Sequence, residues 1–371
     1  MVSGDYGLFY KGTAFTVSRY TPFRIIKPNR IHTVDYKMRP IIQQIKEIYY
    51  PLLATFGVPA NLLTIVTLCK GKCGLSKCIS FYMVAMAAAD LLVLIFHVIV
   101  KHIFSYHFPQ FFLSYTAVCK LIVYLNCITL DTSVWLTVSF TFDRFIAICC
   151  VKLKTKYCTG RNAASVITAI TVLLCLSDIP FWFAYEQERI INNVSWGCRS
   201  RVEFVLSPAG VAFSWFQSIL LPWLPFVLIL VFNCLTVRRI LVANRARKRL
   251  RAHNGENGSD PQIGTRKTSI VLLFMISGSF ILLWLTAAVS FVTTGLTNTA
   301  HFRGDYAAPA YIATESGYLL MYLSSCTNTC IYAATQTKFR KELMKVVKSP
   351  RIVILKLIHK LENAPKDFSP N

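Results

Sequence analysis

Residues 270–285 read IVLLFMISGSFILLWL, an apolar run that no charged side chain interrupts. A helix needs about 20 mostly apolar residues to cross roughly 30 Å of hydrocarbon, and this run extends to about 268–294. Further stretches of the same kind occur at 48–69, 80–104, 117–150, 163–185, 208–236 and 307–334. The sequence therefore predicts an all-α membrane protein, a bundle of seven transmembrane helices.

The composition agrees with a membrane protein. The chain has 371 residues, of which 54% are hydrophobic and 15% charged, with a formal net charge of +23. Soluble domains carry about a quarter charged residues, so this surface is too apolar for a soluble enzyme, a disordered chain or a collagen. A membrane β-barrel would show alternating segments instead of continuous apolar runs. No stretch repeats another, which leaves an inverted-repeat transporter without support.

The basic residues predict the orientation. An odd number of spans puts the chain ends on opposite sides, and Lys and Arg concentrate in residues 236–267 and after residue 336. The positive-inside rule therefore predicts a cytoplasmic C-terminus, and we expect a multi-pass protein of the plasma membrane. The predicted divisions are an extracellular segment 1–47, a bundle 48–335 with a flexible cytoplasmic loop 236–267, and an amphipathic helix with a cytoplasmic tail, 336–371.

Residues 336–348 predict a short amphipathic eighth helix on the inner leaflet, because apolar and basic residues fill opposite faces. Its apolar residues are Phe339, Leu343, Val346 and Val347. The basic flanks of loop 236–267 suit either lipid headgroups or a docking surface for a cytoplasmic partner. The basic residues are dispersed over loops, so we expect membrane lipids as partners and no nucleic acid.

The cysteines predict one disulfide. Of the 13 cysteines, all but Cys119 and Cys198 fall inside predicted spans or on the reducing cytoplasmic side. A Cys119–Cys198 bridge would pin the loop after the fourth span over the mouth of the bundle, and the alternative is two free thiols. Asn193 begins a glycosylation sequon, Asn193-Val194-Ser195, on the same outer face.

Charged residues inside a bilayer are costly, so Asp90 is expected to face the bundle interior. With Ser133, Ser325 and Asn328 it offers one carboxylate and neutral oxygens. That set suits either a sodium ion or a purely structural hydrogen-bond network. Glu315, near the outer end of the seventh span, suits either a ligand amine or water.

The third span carries a stripe of residues at helical spacing that runs roughly 37 Å from the mouth to the inner surface. The stripe comprises Cys119, Asn126, Ser133, Phe140 and Arg144. Asp131 is two residues from Ser133 and points elsewhere, and no role follows for it from the sequence.

Several short motifs occur in order along the chain: Gly57-Val-Pro-Ala-Asn61, Asp90-Leu-Leu, Asp143-Arg144-Phe145, Pro225, Phe280 with Trp284, Asn328-Thr-Cys-Ile-Tyr332 and Lys338-Phe339-Arg340. Over about residues 48–348 they resemble the rhodopsin-like (class A) G-protein-coupled receptors. Within that class, the stretches around Asn61, Asp90 and Ser133 are most similar to the orphan receptors that sense aromatic amino acids and to their peptide-receptor relatives.

The resemblance implies a receptor that binds an extracellular small molecule or peptide and activates a heterotrimeric G protein without chemistry on the ligand. No cofactor is expected apart from a possible sodium ion at Asp90. The implied ligand-pocket residues are Asn126, Trp284, Tyr318 and Tyr322, with Glu315 near the mouth. Trp284 is implied as a conformational switch, or it is packing alone. The implied G-protein coupling residues are Asp143, Arg144, Phe145, Tyr332 and Arg266.

The departures from the family pattern carry information. Asn126 replaces the aspartate of amine receptors, so an amine ligand is disfavoured, and Asn233 replaces a usual tyrosine. Thr286 and Thr329 replace prolines of the sixth and seventh spans. Arg266 stands where many relatives have a glutamate facing the third-span arginine. We therefore expect appreciable ligand-free signalling, which Arg266→Glu should lower, and comparing the basal signalling of the two proteins tests this.

Other classes fit less well. A light receptor needs a lysine in the seventh span, and residues 304–337 contain none. A membrane transporter or channel, the alternative reading, would call for more intramembrane charges and paired broken helices. A membrane enzyme would call for a clustered His or Ser–His constellation, whereas the histidines are scattered and His97, inside a span, is interpreted as a packing residue.

Overall fold

The computed structural model describes residues 41–108, 111–254, 261–296 and 308–348. Within them, the side chains of residues 106, 151, 246–267 and 294–296 lie outside the description. All described residues belong to one compact unit, Pro40–Asn371. The predicted segment 1–47, apart from its last seven residues, and the tail beyond residue 348 lie outside the described part.

Seven long helical spans, named here span 1 to span 7, form the bundle. They are Ile41–Cys69; Lys77–Val93 with π-helical Leu94–Phe104; Thr116–Cys149; Gly160–Ser177 with Ile179–Ala184; Pro208–Ser218 with π-helical Ile219–Trp223 and Leu224–Asn254; Pro261–Leu296; and Pro309–Thr335. Short helices cover Ser105–His107, Phe112–Ser114, Val151–Tyr157 and Val202–Leu206. An eighth helix covers residues 337–348.

Length and composition identify membrane-crossing helices. Spans 1 to 6 are each long and apolar enough to cross a membrane, whereas span 7 within the described residues is more polar. Span 7 carries Glu315 and a run of Ser, Thr and Asn near its middle, and it packs most extensively against span 6. Its polar side chains are therefore covered by protein instead of lipid. The predicted all-α seven-helix bundle is confirmed.

Two predicted boundaries were wrong. Span 1 begins at Ile41 and not near residue 48. Ile42 and Tyr50 are both buried, so the buried face of the helix extends through the polar residues that lie between them. The predicted loop 236–267 is mostly helix, since span 5 continues to Asn254 and span 6 begins at Pro261. Arg, Lys, Leu and Ala favour a helix in both of these described stretches.

Side-chain caps fix where three of the spans begin. The side chains of Ser76, Thr159 and Ser207 accept backbone N–H bonds from Ile79, Asn162 and Gly210, at 3.4, 3.3 and 3.0 Å. Each cap satisfies a donor that the first turn of a helix leaves without a partner.

The core consists of two apolar clusters along the bundle axis. One surrounds Trp284, Phe280 and Tyr322, and the other surrounds Phe140 and Tyr332. Many large apolar side chains elsewhere are exposed, among them Phe56 at 71% and Leu282 at 73%. Exposed apolar surface on this scale is typical of a protein whose outside contacts lipid.

Spans 6 and 7 pack closely at a glycine. A Cβ added at Gly317 would lie 2.8 Å from the Cα and 2.9 Å from the backbone nitrogen of Ala287. A larger residue would therefore push the two backbones apart. Thr329, which replaces the family's proline in span 7, lies 2.9 Å from Thr64 of span 1, hydroxyl to hydroxyl, so it links these two spans.

The eighth helix is anchored by Phe339, which is completely buried and meets the Tyr332 ring edge-on at 5.9 Å. The predicted amphipathic helix is thereby confirmed in outline. At its exposed side Lys345 donates to Glu342 at 2.7 Å, and this hydrogen bond lowers the pKa of Glu342. The Cys119–Cys198 disulfide marks the end of the bundle called here the disulfide end, and Arg144 marks the opposite, Arg144 end.

Candidate functional site

A hairpin covers the disulfide end. Strands Arg189–Ile191 and Val194–Trp196 pair in antiparallel register, and Tyr185–Glu186 pairs with Arg199–Ser200. The predicted disulfide is confirmed, with Cα atoms 5.9 Å apart. Asn192 and Asn193 form the turn with positive φ, and Asn193 is exposed there, so the sequon is accessible. Its glycosylation stays a prediction.

The hairpin is also pinned to the start of span 3 beside the disulfide. Trp196 packs against Tyr115 with ring centroids 4.6 Å apart, and the Thr116 hydroxyl donates to the Gly197 carbonyl at 2.9 Å. The Gly197 N–H donates to the Ser114 carbonyl at 2.7 Å. These contacts hold the hairpin in place over the mouth of the bundle.

His97 connects three spans in the half of the bundle near the disulfide. Its Nε2 lies 2.9 Å from the Asn126 carbonyl, and its Nδ1 lies 3.1 Å from the Tyr322 hydroxyl. A carbonyl only accepts, so Nε2 donates to it; in the neutral ring Nδ1 accepts from Tyr322. His97 is therefore satisfied, as expected, but it is a linking residue and not apolar packing.

Two of the predicted pocket residues, Asn126 and Tyr322, contact this histidine, and Tyr318 and Trp284 follow from them by ring packing. Tyr318 stacks on Tyr322 with centroids 6.3 Å apart, and Trp284 packs against Phe280 at 5.3 Å. Trp284 is buried in the apolar cluster, which suits a packing residue and leaves the switch role a prediction. Tyr318 and Tyr322 therefore form a stacked pair of tyrosines on span 7.

The side chain of Asn126 is buried, with 2% of its surface exposed. Neither its Nδ2 nor its Oδ1 has a hydrogen-bond partner among the described residues. A buried amide without partners costs free energy, so this side chain is available to a ligand or to water that enters the mouth. That Asn126 lines a ligand pocket stays a prediction.

Glu315 has a partner that neither sequence alternative named. Its carboxylate lies 2.7 Å from the ammonium of Lys46 on span 1. Both side chains are largely shielded from solvent, so the ion pair joins the first and last spans near the disulfide end. Glu315 is therefore occupied by this chain's own lysine and is not free for a ligand amine.

The sequence reasoning missed Lys101 and its neighbour His102. Lys101 follows His97 by one helical turn in the π-helical part of span 2, and His102 stacks on Tyr50 at 4.3 Å. Spacing could have found Lys101, because residues 7 and 11 positions after Asp90 return to the same helix face.

A second cluster lies about Asp90, which is 1% exposed. Ser133 Oγ donates to Asp90 Oδ1 at 2.6 Å, and Asn328 Nδ2 donates to Oδ2 at 2.7 Å. Ser325 adds a hydrogen bond to the same carboxylate, and Asn61 donates to the Ser325 carbonyl at 2.9 Å. The four predicted residues are therefore together, and no described Lys or Arg neutralises Asp90.

Asp143 and Arg144 form an ion pair at the opposite end, both buried. Arg144 Nε donates to Asp143 Oδ2 at 3.0 Å, and the Cys78 thiol donates to Oδ1 at 3.0 Å. Cys158 Sγ lies 3.8 Å from the Asp143 carbonyl. The two cysteines were not predicted, because sequence alone gives a thiol no spatial partner.

The remaining predicted coupling residues lie near this pair. Phe145 stacks on Phe232 of span 5 with centroids 5.8 Å apart, and Tyr332 is buried against Phe339. Arg266 falls in the helix of span 6, but its side chain is among those outside the description. Asn233 Nδ2 donates to Ser277 Oγ at 2.8 Å, a link between spans 5 and 6 that the sequence did not predict.

Asp131 belongs to a different interface. It is buried and interacts electrostatically with Asp178 near the end of span 4. Gln217 of span 5 donates to Asp178 Oδ1 at 2.7 Å. Asp131 therefore faces spans 4 and 5 and not the Asp90 cluster, as the sequence spacing predicted.

Comparison with known proteins gives a family match. The model of the seven-transmembrane receptors of the rhodopsin family matches residues 60–332, which contain His97, the Asp90 cluster and the Asp143–Arg144 pair. The allatostatin-A receptor of Bombyx mori is 22% identical over 326 residues, covering 86% of this chain and 85% of that receptor.

Two further relatives are similar to this chain at about the same level of identity. The FMRFamide receptor of Drosophila melanogaster is 22% identical over 305 residues, which are 78% of this chain and 51% of that receptor. The galanin receptor type 2 of Rattus norvegicus is 21% identical over 307 residues, 81% of this chain and 74% of that receptor. The narrower resemblance to receptors for aromatic amino acids stays a prediction.

Proposed function

The chain belongs to the rhodopsin family of seven-transmembrane receptors, and from this premise we propose that it binds an extracellular peptide and activates a heterotrimeric G protein. The observation that carries the proposal is span 3. This one unbroken helix, Thr116–Cys149, holds the disulfide-tethered mouth at one end and the Asp143–Arg144 pair at the other. The receptor is a multi-pass membrane protein and not an enzyme.

The peptide class is supported by the relatives and by the mouth. The relatives named above are receptors whose names refer to allatostatin-A, FMRFamide and galanin. The amide of Asn126 carries no charge for an amine ligand, and Glu315 is paired with Lys46. Tyrosines and an amide with free donor and acceptor suit the side chains and backbone of a peptide.

The disulfide end is proposed to face the outside of the plasma membrane. Disulfides persist in oxidising compartments, and the exposed Asn193 sequon lies on the same hairpin. The Arg144 end then faces the cytoplasm, where the eighth helix lies along the inner leaflet. This assignment agrees with the basic residues that concentrate after span 5 and span 7.

Signal transmission is proposed to follow a shift between two packings of the bundle. A ligand shifts the equilibrium only by its difference in affinity for the two packings. Contacts at Asn126 and Tyr322 bear on spans 3 and 7. At the other end, release of Arg144 from Asp143 and separation of span 6 from span 5 at Ser277 would open a cleft for the G protein.

The experiment is peptide-stimulated nucleotide exchange on a purified heterotrimeric G protein. Reconstituted wild-type receptor should accelerate exchange in response to members of a short-peptide library. Arg144→Ala should abolish that acceleration while peptide binding persists, and Arg161→Ala, an exposed arginine at the same end, should behave as wild type. Exchange that no peptide stimulates, or that survives Arg144→Ala unchanged, would contradict the proposal.

The Asp90 cluster is proposed to hold a small cation such as sodium. The residues fit, because a buried carboxylate lacks a basic partner in the described part of the chain and hydroxyl and amide groups surround it. Hard cations prefer oxygen ligands, and a bound cation would supply the charge that the buried carboxylate lacks. Asp90, Ser133, Ser325 and Asn328 are the residues that would hold it.

Thermal unfolding tests the cation without a signalling readout. Sodium should raise the melting temperature of the purified receptor relative to N-methylglucamine at equal ionic strength, because a bound ligand stabilises the folded state. The Asp90→Asn variant should lose this difference. Equal melting temperatures of the wild type in the two salts would refute a sodium site.

A further inference from the structure

Lys101 places a positive charge inside the mouth of the bundle. Its side chain is exposed, although it lies within span 2. It interacts electrostatically with Glu315 of span 7, Cys127 of span 3 and Lys46 of span 1. His97, one turn before Lys101 on the same helix, contacts Asn126 of span 3 and Tyr322 of span 7, so this side of span 2 faces the bundle interior. Lys101 therefore points into the space between the spans at the disulfide end, where water reaches it.

No carboxylate neutralises this ammonium among the described residues, since no ion pair within 4.0 Å involves Lys101. The acid in electrostatic range, Glu315, is already paired with Lys46 at 2.7 Å. Two lysines thus face one glutamate, so one positive charge of these three groups has no partner among the described residues. Charges inside a membrane span are costly and call for a partner.

Free hydrogen-bonding groups lie in the same region. His97, one turn before Lys101, donates to the Asn126 carbonyl, and the Asn126 side chain has no described partner. Cys127, the residue after Asn126, interacts electrostatically with Lys101. The Lys101 ammonium and the Asn126 amide therefore lie in the same part of the mouth. Both are close to His97, which also contacts the Tyr322 hydroxyl.

We propose that Lys101 is the anchor for an anionic group of the peptide ligand, a carboxylate from the peptide's C-terminus or from an acidic side chain. The inference rests on the proposed function, because it assumes that the ligand is a peptide. A carboxylate on Lys101 gains a charge-assisted hydrogen bond, and Asn126 can bind the neighbouring peptide group. An amidated peptide must supply the anion from an Asp or Glu side chain.

The test uses a peptide library whose members are made in matched forms. Each sequence is synthesised with a free and with an amidated C-terminus, and with Asp or Glu replaced by Asn or Gln. Receptors are wild type, Lys101→Gln, Lys101→Arg and Lys120→Gln. Lys120 is the matched control. It too lies at the disulfide end of the bundle, on span 3, but its ammonium lies 5.3 Å over the Trp182 ring.

We expect every active peptide to carry an anionic group that binds Lys101. Removing that anion should weaken the peptide about 10- to 100-fold on wild type and hardly at all on Lys101→Gln. Lys101→Arg should keep the preference and Lys120→Gln should match wild type. Loss on amidation identifies the C-terminus as the source, and loss on the Asn or Gln exchange identifies an acidic side chain.

Two results would overturn the inference. Active peptides whose potency is indifferent to both charge removals on wild type would do so without any receptor variant. Potency unchanged by Lys101→Gln would do so as well, and would leave the peptide receptor standing. A wild-type receptor that responds to no peptide would contradict the proposed function and this inference together. Melting temperatures of the variants show that each is folded.

Discussion

Asp143 organises the Arg144 end through three kinds of neighbour. Arg144 pairs with its carboxylate, the Cys78 thiol donates to it at 3.0 Å, and Cys158 contacts its carbonyl. A buried ion pair is stable only when the remaining lone pairs are satisfied, and the Cys78 thiol contributes here. The two cysteines are thus structural partners of Asp143.

Cys158 is expected to be an unreactive thiol. Burial, and then the negative charge of Asp143, raise the pKa of Cys158 to about 11. Its thiolate fraction at neutral pH is therefore about 100-fold below that of an ordinary cysteine, and it grows as the pH rises toward 11. Alkylation of the Cys158 peptide by iodoacetamide, followed by mass spectrometry from pH 7 to 10, should rise about tenfold per pH unit. Labelling that levels off near pH 9 would show an ordinary thiol.

Some site residues could be predicted from the sequence and others could not. Asp90 and Asp143 stand out because a carboxylate inside an apolar run must face the interior. The partner of Glu315 could not be predicted, since Lys46 is separated from it by the whole chain and was placed outside the first span. In a regular α-helix Lys101 would share a face with Asp90, and that spacing was available in the sequence.

At the scale of elements, the close approach of spans 6 and 7 depends on a missing side chain. Gly317→Ala should lower the melting temperature, because the new methyl group meets the Ala287 backbone and overpacking costs about 1–3 kcal/mol. Gly278→Ala is the matched control, since an added Cβ there has nothing within 4 Å. It should be neutral or slightly stabilising. Equal melting temperatures for the two variants would show that the spans separate freely.

The hydrogen bond between Asn233 and Ser277 should restrain span 6 in the ligand-free receptor. Ser277→Ala removes the partner of Asn233 and should raise ligand-free nucleotide exchange about 2- to 10-fold, the equivalent of one neutral hydrogen bond. Ser279→Ala serves as the control, because its hydroxyl donates within span 6 to the Ile276 carbonyl at 3.0 Å. Basal exchange that is the same in both variants would rule out this restraint.

Elements differed in how well the sequence predicted them. The spans follow from membrane thickness, and the eighth helix follows from its two opposite faces. The hairpin was missed, because strands of two or three residues carry no periodic signal. The Asn192–Asn193 pair was the available cue, since asparagine tolerates the positive φ of hairpin turns.

On the scale of the whole molecule, the disulfide is expected to stabilise the mouth. It closes a sequence separation of 79 residues, so Cys198→Ser should lower the melting temperature and remove its dependence on reductant. Cys175→Ser, at a free cysteine of span 4, should leave both properties unchanged. A wild-type receptor whose melting temperature ignores reductant would contradict a stabilising role.

The topology of the molecule could be predicted and the ligand chemistry could not. Seven spans and the positions of the polar clusters along them follow from hydropathy and helical spacing. Which side chains meet in the mouth depends on how the span ends are rotated. In span 2 that rotation depends on the π-helical segment Leu94–Phe104, which no sequence pattern predicted.

Span 3 has the length and the single central tie that a lever would need. Its 34 residues form one helix of roughly 51 Å, and Ser133 ties its middle to Asp90. A tilt of about 5° around that pivot would carry each end about 2 Å, in opposite directions. An ångström-scale displacement of span 3 beneath the hairpin would thus move Arg144 in the opposite direction, because no break in this helix would absorb the tilt.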